Sequence, residues 1–331
     1  MSTFYLLRLP LLAMEHVLCM LNPYELIFIS LGSSRSKRAV KNFSRVKPKF
    51  RIRLTINSQP CISIIGKNPE VKAWEYSWTL DDPIIFLIES FNPYKVTYVD
   101  MKIAKNPIEE FMKSYDHIRE VFGCQIEYVH YDLTAFSRRT TKTIIDFLRR
   151  QQKSIKAVCI HGDWLDQSHN DVKYHISKLK VSGRLEVDVT HYKKKFELEI
   201  PEGSFGLHVF SAKFIRYEQF LRLKHQEILL YDSGMSDRDI NRFLKSWIAC
   251  KSHLNLKSLL IVVRRPILEE EIMIDIPCEI TDDPDVIEKF EKCPFHAKVD
   301  GGFNIRRSDG KMATASAALK PFGWCLCLLV H

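Results

Sequence analysis

The sequence lacks any uncharged apolar run as long as the roughly 18 residues that a membrane-spanning helix requires. Its first thirty residues are rich in apolar side chains, but charged residues and prolines interrupt them. No group of small residues follows a clean apolar stretch there, as the cleavage site of a secretory signal would. We therefore expect a soluble protein of the cytoplasm, the nucleus or both, without a membrane partner.

The sequence also lacks the glycine patterns that hold nucleotides and the serine motif of common hydrolases. Asp300-Gly301-Gly302 precedes a strand rather than a helix, and residues 203–206 lack the spacing of a nucleophile elbow. The strongest catalytic candidates are His161 and Asp163, which end an apolar strand and could act as an acid–base pair. A loop with satisfied polar side chains explains them as well. We expect no catalytic site and no cofactor, with a cryptic hydrolase as an alternative.

A regular cysteine pattern is missing too. The nine cysteines are odd in number and scattered, and several lie within apolar, strand-like segments. This distribution favours reduced, buried thiols over a disulfide framework. Cys293 and His296 could in principle hold zinc, but no second Cys or His pair lies at a usable spacing. We therefore expect no metal site.

Acidic residues are absent between Gly32 and Pro69, where ten Lys and Arg residues lie. Their ten positive charges exceed the formal net charge of +9, so the remainder of the chain sums to −1. Lys49, Arg51 and Arg53 alternate with apolar residues, which predicts a strand with one solvated face. Nucleic-acid binding is the alternative interpretation, but no aromatic residues lie between these cations to stack bases, which makes it the weaker one.

What the N-terminal region does contain is a set of short helices. Asn22, Pro23 and Glu25 have the order of a capped helix start, with Asn as the N-cap and Pro in the first turn. The helix that follows is apolar on every side at residues 26–29, so all its sides must be covered. Three helices in about forty residues form too small a unit to bury this surface alone. We expect the surplus to dock onto the rest of the chain or onto another protein.

Residues 5–42 carry a Leu-Pro start at Leu9-Pro10, an apolar helix, a Pro and a Leu three apart at Pro23 and Leu26, and a basic end after a Ser. This pattern resembles the F-box family, and in particular the F-boxes of the large nematode F-box families. Leu12 stands where an acidic residue is common, and Ser36-Lys37 lie where a Trp is usual. The resemblance implies a three-helix domain that binds a Skp-type adaptor and, through it, a cullin. The implied adaptor-binding residues are Leu9, Pro10, Val17, Leu21, Pro23 and Leu26.

The pattern of apolar and capping residues changes twice after the F-box-like segment. Residues 43–104 predict a basic, β-rich connector. From residue 105 onward, helix starts at Asn106, Ser168 and Ser236 alternate with short apolar strands. The strands share an apolar spacing of i, i+3 and i+5 and recur roughly every 20 to 30 residues. This predicts an α/β (α+β) fold with a degenerate leucine-rich-repeat-like stack of helices and strands, or alternatively an irregular α/β sheet.

The C-terminal region supplies the second resemblance. Ser308-Asp309-Gly310 predicts a hairpin turn, and the apolar tail after Lys320 predicts a final strand. Together with residues 237–261, this ending is similar to the F-box-associated (type 2) domain of the same proteins, which would occupy residues 105–331. The two resemblances imply a non-catalytic substrate-recognition subunit of a Skp–cullin–F-box ubiquitin ligase.

The C-terminal domain of such a subunit captures an unknown target protein. We predict contacts with the target at Trp164, His191 and Tyr192. The alternative function is that of a basic nucleic-acid-binding or general protein-interaction module with a vestigial F-box.

Overall fold

The structure is a computed structural model that describes residues 6–46, 50–66, 73–80, 96–163, 169–190 and 196–331, without the side chains of residues 96–98, 163 and 169–171. The fold is mixed, with helices and strands throughout. The chain divides into two compact units, Met1–Gln152 and Lys153–His331. Among the described residues, no helix combines the length and the apolar character needed to cross a bilayer.

The first unit begins with three helices and continues with strands. Its elements are α1 (Leu11–Met20), α2 (Pro23–Gly32), α3 (Ser34–Val46), β1 (Arg51–Ile56), β2 (Cys61–Ile65), β3 (Ala73–Thr79), β4 (Val96–Ile103), α4 (Pro107–Phe122), β5 (Ile126–Asp132) and α5 (Arg138–Gln151). Its strands lie in the order β5-β1-β2-β3-β4, with β1 parallel to β5 and antiparallel to β2. In β1, the partly exposed Arg51 and Arg53 alternate with the buried Ile52 and Leu54, which confirms the predicted half-solvated strand.

Helix α4 joins the strands of this unit to its N-terminal helices. Asn106 caps its start, and Gly123 ends it in the left-handed conformation with φ of +63°. Phe111 packs edge-on against Trp78 of β3, with ring centroids 5.9 Å apart. The division that we predicted between residues 104 and 105 therefore lies inside the first unit, because α4 buries its apolar stripe against strands that precede it.

The second unit contains the remaining elements. They are β6 (Ile155–Asp163), α6 (His169–Lys178), β7 (Val181–Thr190), β8 (Gly206–Val209), α7 (Tyr217–Phe220), β9 (Glu227–Leu230), α8 (Asp237–Ile248), β10 (Ser258–Val263), α9 (Glu269–Ile272), β11 (Cys278–Thr281), α10 (Pro284–Lys292), β12 (Gly302–Arg306), β13 (Met312–Lys320) and β14 (Gly323–Val330). Strands β6 to β10 are parallel and lie side by side in chain order. The antiparallel strands continue from β10 in the order β14, β13, β12 and β11.

Several local signals in this unit are confirmed, whereas the predicted helix start at Ser168 lies outside the described residues. Ser236 and Asp239 form a reciprocal capping box at the start of α8. Gly310, with φ of +95°, turns the chain between β12 and β13 as predicted for the hairpin, and the apolar tail forms β14 between β10 and β13. The apolar triplet Ile155, Val158 and Ile160 is buried on β6. Apolar residues at these spacings therefore mark the buried face of the parallel strands.

Candidate functional site

Helix α2 is covered by its own chain on one side. Asn22 and Glu25 form the predicted capping box, and Leu26 and Ile27 are buried. The Ser30 hydroxyl lies 2.8 Å from Nε2 of His117, a residue of α4. Burial lowers the pKa of His117, and the nearby Lys37 lowers it further. Part of the surplus apolar surface that the sequence predicted is thus buried within the first unit.

Tyr24 fixes the start of the same helix against β3. Its hydroxyl donates a hydrogen bond of 2.5 Å to the backbone carbonyl of Glu75. Its ring meets the ring of Tyr76 edge-on, with centroids 4.7 Å apart. Burial raises the pKa of Tyr24, so this hydroxyl stays protonated and keeps its role as a donor.

The six residues predicted to bind an adaptor occupy different environments. Pro23 and Leu26 are buried against the chain itself, whereas Leu9, Val17 and Leu21 are half-buried and Pro10 is exposed. Leu26 has no exposed surface, so it can hold α2 in place but cannot touch a partner in this conformation. The half-buried and exposed members remain accessible.

Large apolar side chains that were not predicted from the sequence are also exposed in this region. Phe28 is 78% exposed and Met20 is 84% exposed. Five such side chains lie on two consecutive helices, and a contiguous exposed apolar patch is typical of a protein-binding surface. The signal was present in the sequence, because Phe28 belongs to the run that is apolar on every side of α2. We call this set the N-terminal apolar surface, and it consists of Leu11, Leu12, Met20, Phe28 and Leu31.

Several cations of the basic segment have partners within the first unit. Lys37 and Lys41 both contact the carboxylate of Glu120, at 2.6 and 3.5 Å. Arg51 pairs with Glu127 at 3.3 Å. Arg53 lies over the ring of Tyr128, 4.8 Å from its centroid. The carboxylates of Glu120 and Glu127 thus neutralise part of the positive charge of this segment.

A row of ionisable side chains crosses the parallel strands of the second unit. Nδ1 of His161 lies 2.9 Å from Oδ2 of Asp188, its neighbour in register on β7. On the same face, Arg184 pairs with Glu186 at 2.6 Å. We call this face, formed by residues of β6 to β9 that alternate with the buried apolar residues, the polar strand face.

A third pair extends the polar strand face. Nε2 of His208 on β8 lies 2.6 Å from Oε1 of Glu227 on β9, and both side chains are mostly buried. Glu186 is the register neighbour of His208, so the three pairs form a continuous strip. Each ionisable side chain of the strip thus has a hydrogen-bonding or ion-pair partner on the same face.

The catalytic pair weighed from the sequence, His161 and Asp163, is described only in part. His161 contacts the carboxylate of Asp188 on β7, and the side chain of Asp163 lies outside the described residues. Trp164, His191 and Tyr192, the predicted contacts with a target, also lie outside the described residues. Within the described parts of the chain, no group of three or more His, Cys, Asp or Glu side chains is arranged to hold a metal ion.

Comparison with known families connects this unit to one domain type. Residues 195–261 match a family model described as F-box associated. This segment is similar to F-box-associated domains. No curated protein sequence matches the chain, and no solved structure matches it either.

The matched segment contains the central elements of the second unit. It contains strands β8 and β9, the first four residues of β10, and the intervening helices α7 and α8. His208 and Glu227 of the polar strand face lie within it. The match supports the F-box-associated part of the resemblance seen in the sequence.

Proposed function

We propose that this protein is a non-catalytic substrate-recognition subunit of a Skp–cullin–F-box ubiquitin ligase. Its N-terminal helices would bind a Skp-type adaptor, and its second unit would capture a target protein. The observation that carries the proposal is the match of residues 195–261 to the F-box-associated family. Catalysis would belong to partner subunits, and this chain would raise the effective concentration of the target near them.

The N-terminal apolar surface supports the adaptor-binding half of the proposal. Its side chains are exposed on α1 and α2, while the opposite side of α2 is anchored by Leu26 and Tyr24. A partner could therefore cover Leu12, Met20 and Phe28 without unfolding the helices. The half-buried Leu21 and the exposed Pro10 belong to the same two-helix region and would contribute at its border.

The topology of the second unit supports the target-binding half. Five parallel strands in chain order are what a repeat-like stack of strands and crossing segments produces. We propose this degenerate, leucine-rich-repeat-like arrangement as the scaffold for target capture. The partners of the basic segment disfavour the nucleic-acid alternative, since Lys37, Lys41 and Arg51 already contact carboxylates.

The test is co-expression with a Skp-type adaptor, followed by capture of the tagged chain. Wild type should carry the adaptor, and Phe28→Asp and Leu21→Asp should lose it, because each places a charge into the apolar contact. Val46→Asp, at an exposed position near the end of α3, is the matched control and should keep it. Thermal unfolding of each variant establishes that the chain stays folded.

Failure of the wild-type chain to carry the adaptor would contradict the ligase proposal. In that case, binding to a labelled oligonucleotide is measured at two salt concentrations. Affinity that collapses with added salt would favour the nucleic-acid alternative, since released counterions drive such binding.

A further inference from the structure

One face of the sheet in the second unit carries apolar side chains in one half and polar side chains in the other. Leu260 and Val262 of β10 and Cys327 of β14 belong to an apolar cluster with Phe290 of α10. Register continues this face from Leu260 through Leu229 to His208. The face therefore changes from apolar and covered by α10 at β10 to polar at β8, and β9 carries both Leu229 and Glu227.

Aromatic rings mark the border between the two halves. Tyr231, which directly follows β9, packs against the apolar cluster. Its ring stacks on Phe210 at 5.4 Å and nearly parallel, and meets Phe322 edge-on at 5.3 Å. Phe210 is 41% exposed and Phe322 is 53% exposed. Partly exposed aromatic rings held by a packed neighbour are typical anchors for a partner, because they lose little conformational entropy on binding.

Asp188 lies beside this aromatic border. The backbone N–H of Phe210 donates to the carbonyl of Val187, which continues the β7–β8 register and places Asp188 next to Phe210. The Asp188 carboxylate contacts His161, and about a third of its side chain is exposed. A carboxylate and an aromatic face together are the combination that attracts a guanidinium or ammonium group.

The charges of the polar strand face favour a cationic partner. Counting histidine as neutral, its described side chains include three carboxylates, Glu186, Asp188 and Glu227, and one guanidinium, Arg184, so one minus three gives −2. Lys156 is left out of this count, because it lies at the irregular start of β6, at the end of the strand far from His161.

Cations do occur beyond the aromatic border. There Asp232 accepts from both Lys213 and Arg264, which leaves that edge with one net positive charge. A basic partner would therefore lie over the strands and avoid the edge beyond the aromatic rings.

We propose that the polar strand face and its aromatic border bind an extended, basic segment of another protein. An Arg or Lys side chain of that segment would lie over Phe210 with its charge toward Asp188. As a description of the captured target, the inference rests on the proposed function; as a binding property of this surface, it can be tested separately.

The test uses the purified full-length chain and two fluorescein-labelled ten-residue peptides, one of alternating Arg and Ser and one of alternating Glu and Ser. Fluorescence anisotropy is measured at about 150 mM salt, where exposed charges are screened beyond about 8 Å. The Arg peptide should bind at least about tenfold more tightly than the Glu peptide. Phe210→Ala and Asp188→Asn should each weaken it by about three- to tenfold.

Matched controls separate this surface from general charge attraction. Phe205 directly precedes β8, whereas Phe210 directly follows it, and the Phe205 side chain is 40% exposed. Phe205→Ala removes this ring, and Asp275→Asn removes a highly exposed carboxylate. Both should leave the affinity for the Arg peptide unchanged. Unfolding midpoints are compared first, and Phe210→Ala carries the test if Asp188→Asn does not fold.

Two outcomes would overturn the inference: equal or tighter binding of the Glu peptide, or equal losses in the surface variants and their controls. Its failure is distinguishable from failure of the proposed function. A chain that carries the adaptor but shows no preference for the Arg peptide loses only the present inference. A chain that binds the Arg peptide through Phe210 but carries no adaptor keeps this surface and loses the ligase proposal.

Discussion

Arg307 and Asp309, two residues apart at the β12–β13 hairpin, form a bidentate ion pair. Nε of Arg307 donates to Oδ1 of Asp309 at 2.9 Å, and Nη2 donates to Oδ2 at 2.7 Å. The guanidinium also donates to the carbonyl of Leu254 and lies over the ring of Trp247, 5.1 Å from its centroid. The pair thus ties the hairpin to α8 and to the loop that follows it.

Removing the guanidinium of Arg307 should destabilise the second unit. Arg307 is almost fully buried, so Arg307→Ala leaves the Leu254 carbonyl without this donor and should cost about 1–3 kcal/mol of unfolding free energy. Urea denaturation checks this value. Arg306→Ala, at the exposed neighbouring position, is the control and should cost less than about 0.5 kcal/mol. Equal losses in the two variants would contradict the anchoring role.

The same pair predicts a dependence on pH at the acid end. The hydrogen bonds from Arg307 lower the pKa of Asp309 to about 2. A carboxyl whose pKa is lower in the folded state stabilises the fold above its unfolded pKa of about 3.9, and this contribution disappears as the pH falls through about 2. Asp309→Asn should therefore lower the unfolding midpoint at pH 7, and the difference from wild type should vanish near pH 2.

His175 predicts a second acid sensitivity, which begins at a less acidic pH. Burial lowers its pKa to about 3, so the folded state holds this imidazole neutral while the unfolded state protonates it below about 6.5. Stability should therefore fall as the pH drops from about 6.5 toward about 3, by about 1.4 kcal/mol for each pH unit inside that window. His175→Gln should reduce the slope of unfolding free energy against pH. His16→Gln, at an exposed position of α1, is the control and should leave the slope as it is.

Truncation of two residues of α2 should change the unfolding free energy by very different amounts. Leu26 has no exposed surface, so Leu26→Ala should cost about 2–4 kcal/mol through lost burial and the cavity left behind. Phe28→Ala, two positions later on the exposed side, should change the unfolding free energy by less than about 0.5 kcal/mol. Chemical denaturation of both variants checks the contrast. A large cost for Phe28→Ala would show that this ring packs on the chain and does not belong to a free surface.

Signals that act over a few residues could be predicted from the sequence. The capping boxes at Asn22 and Ser236 each join residues three apart, and the turn at Gly310 depends on one backbone angle that glycine tolerates. The alternation of Arg51 and Arg53 with buried residues follows from the two-residue period of a strand. Each of these features is fixed by residues within one turn or one strand, so no distant partner is needed to specify it.

Only the tertiary structure decided which residues meet across the chain. Tyr24 finds its acceptor 51 residues later at Glu75, and that contact determines which side of α2 is covered and which is exposed. His161 contacts Asp188, 27 residues away on the neighbouring strand. The first unit, which extends to Gln152, likewise includes α4 together with the earlier strands on which it packs. Periodicity shows that a residue is buried or exposed, but it carries no information on its distant partner, because the partner is chosen by strand order and register.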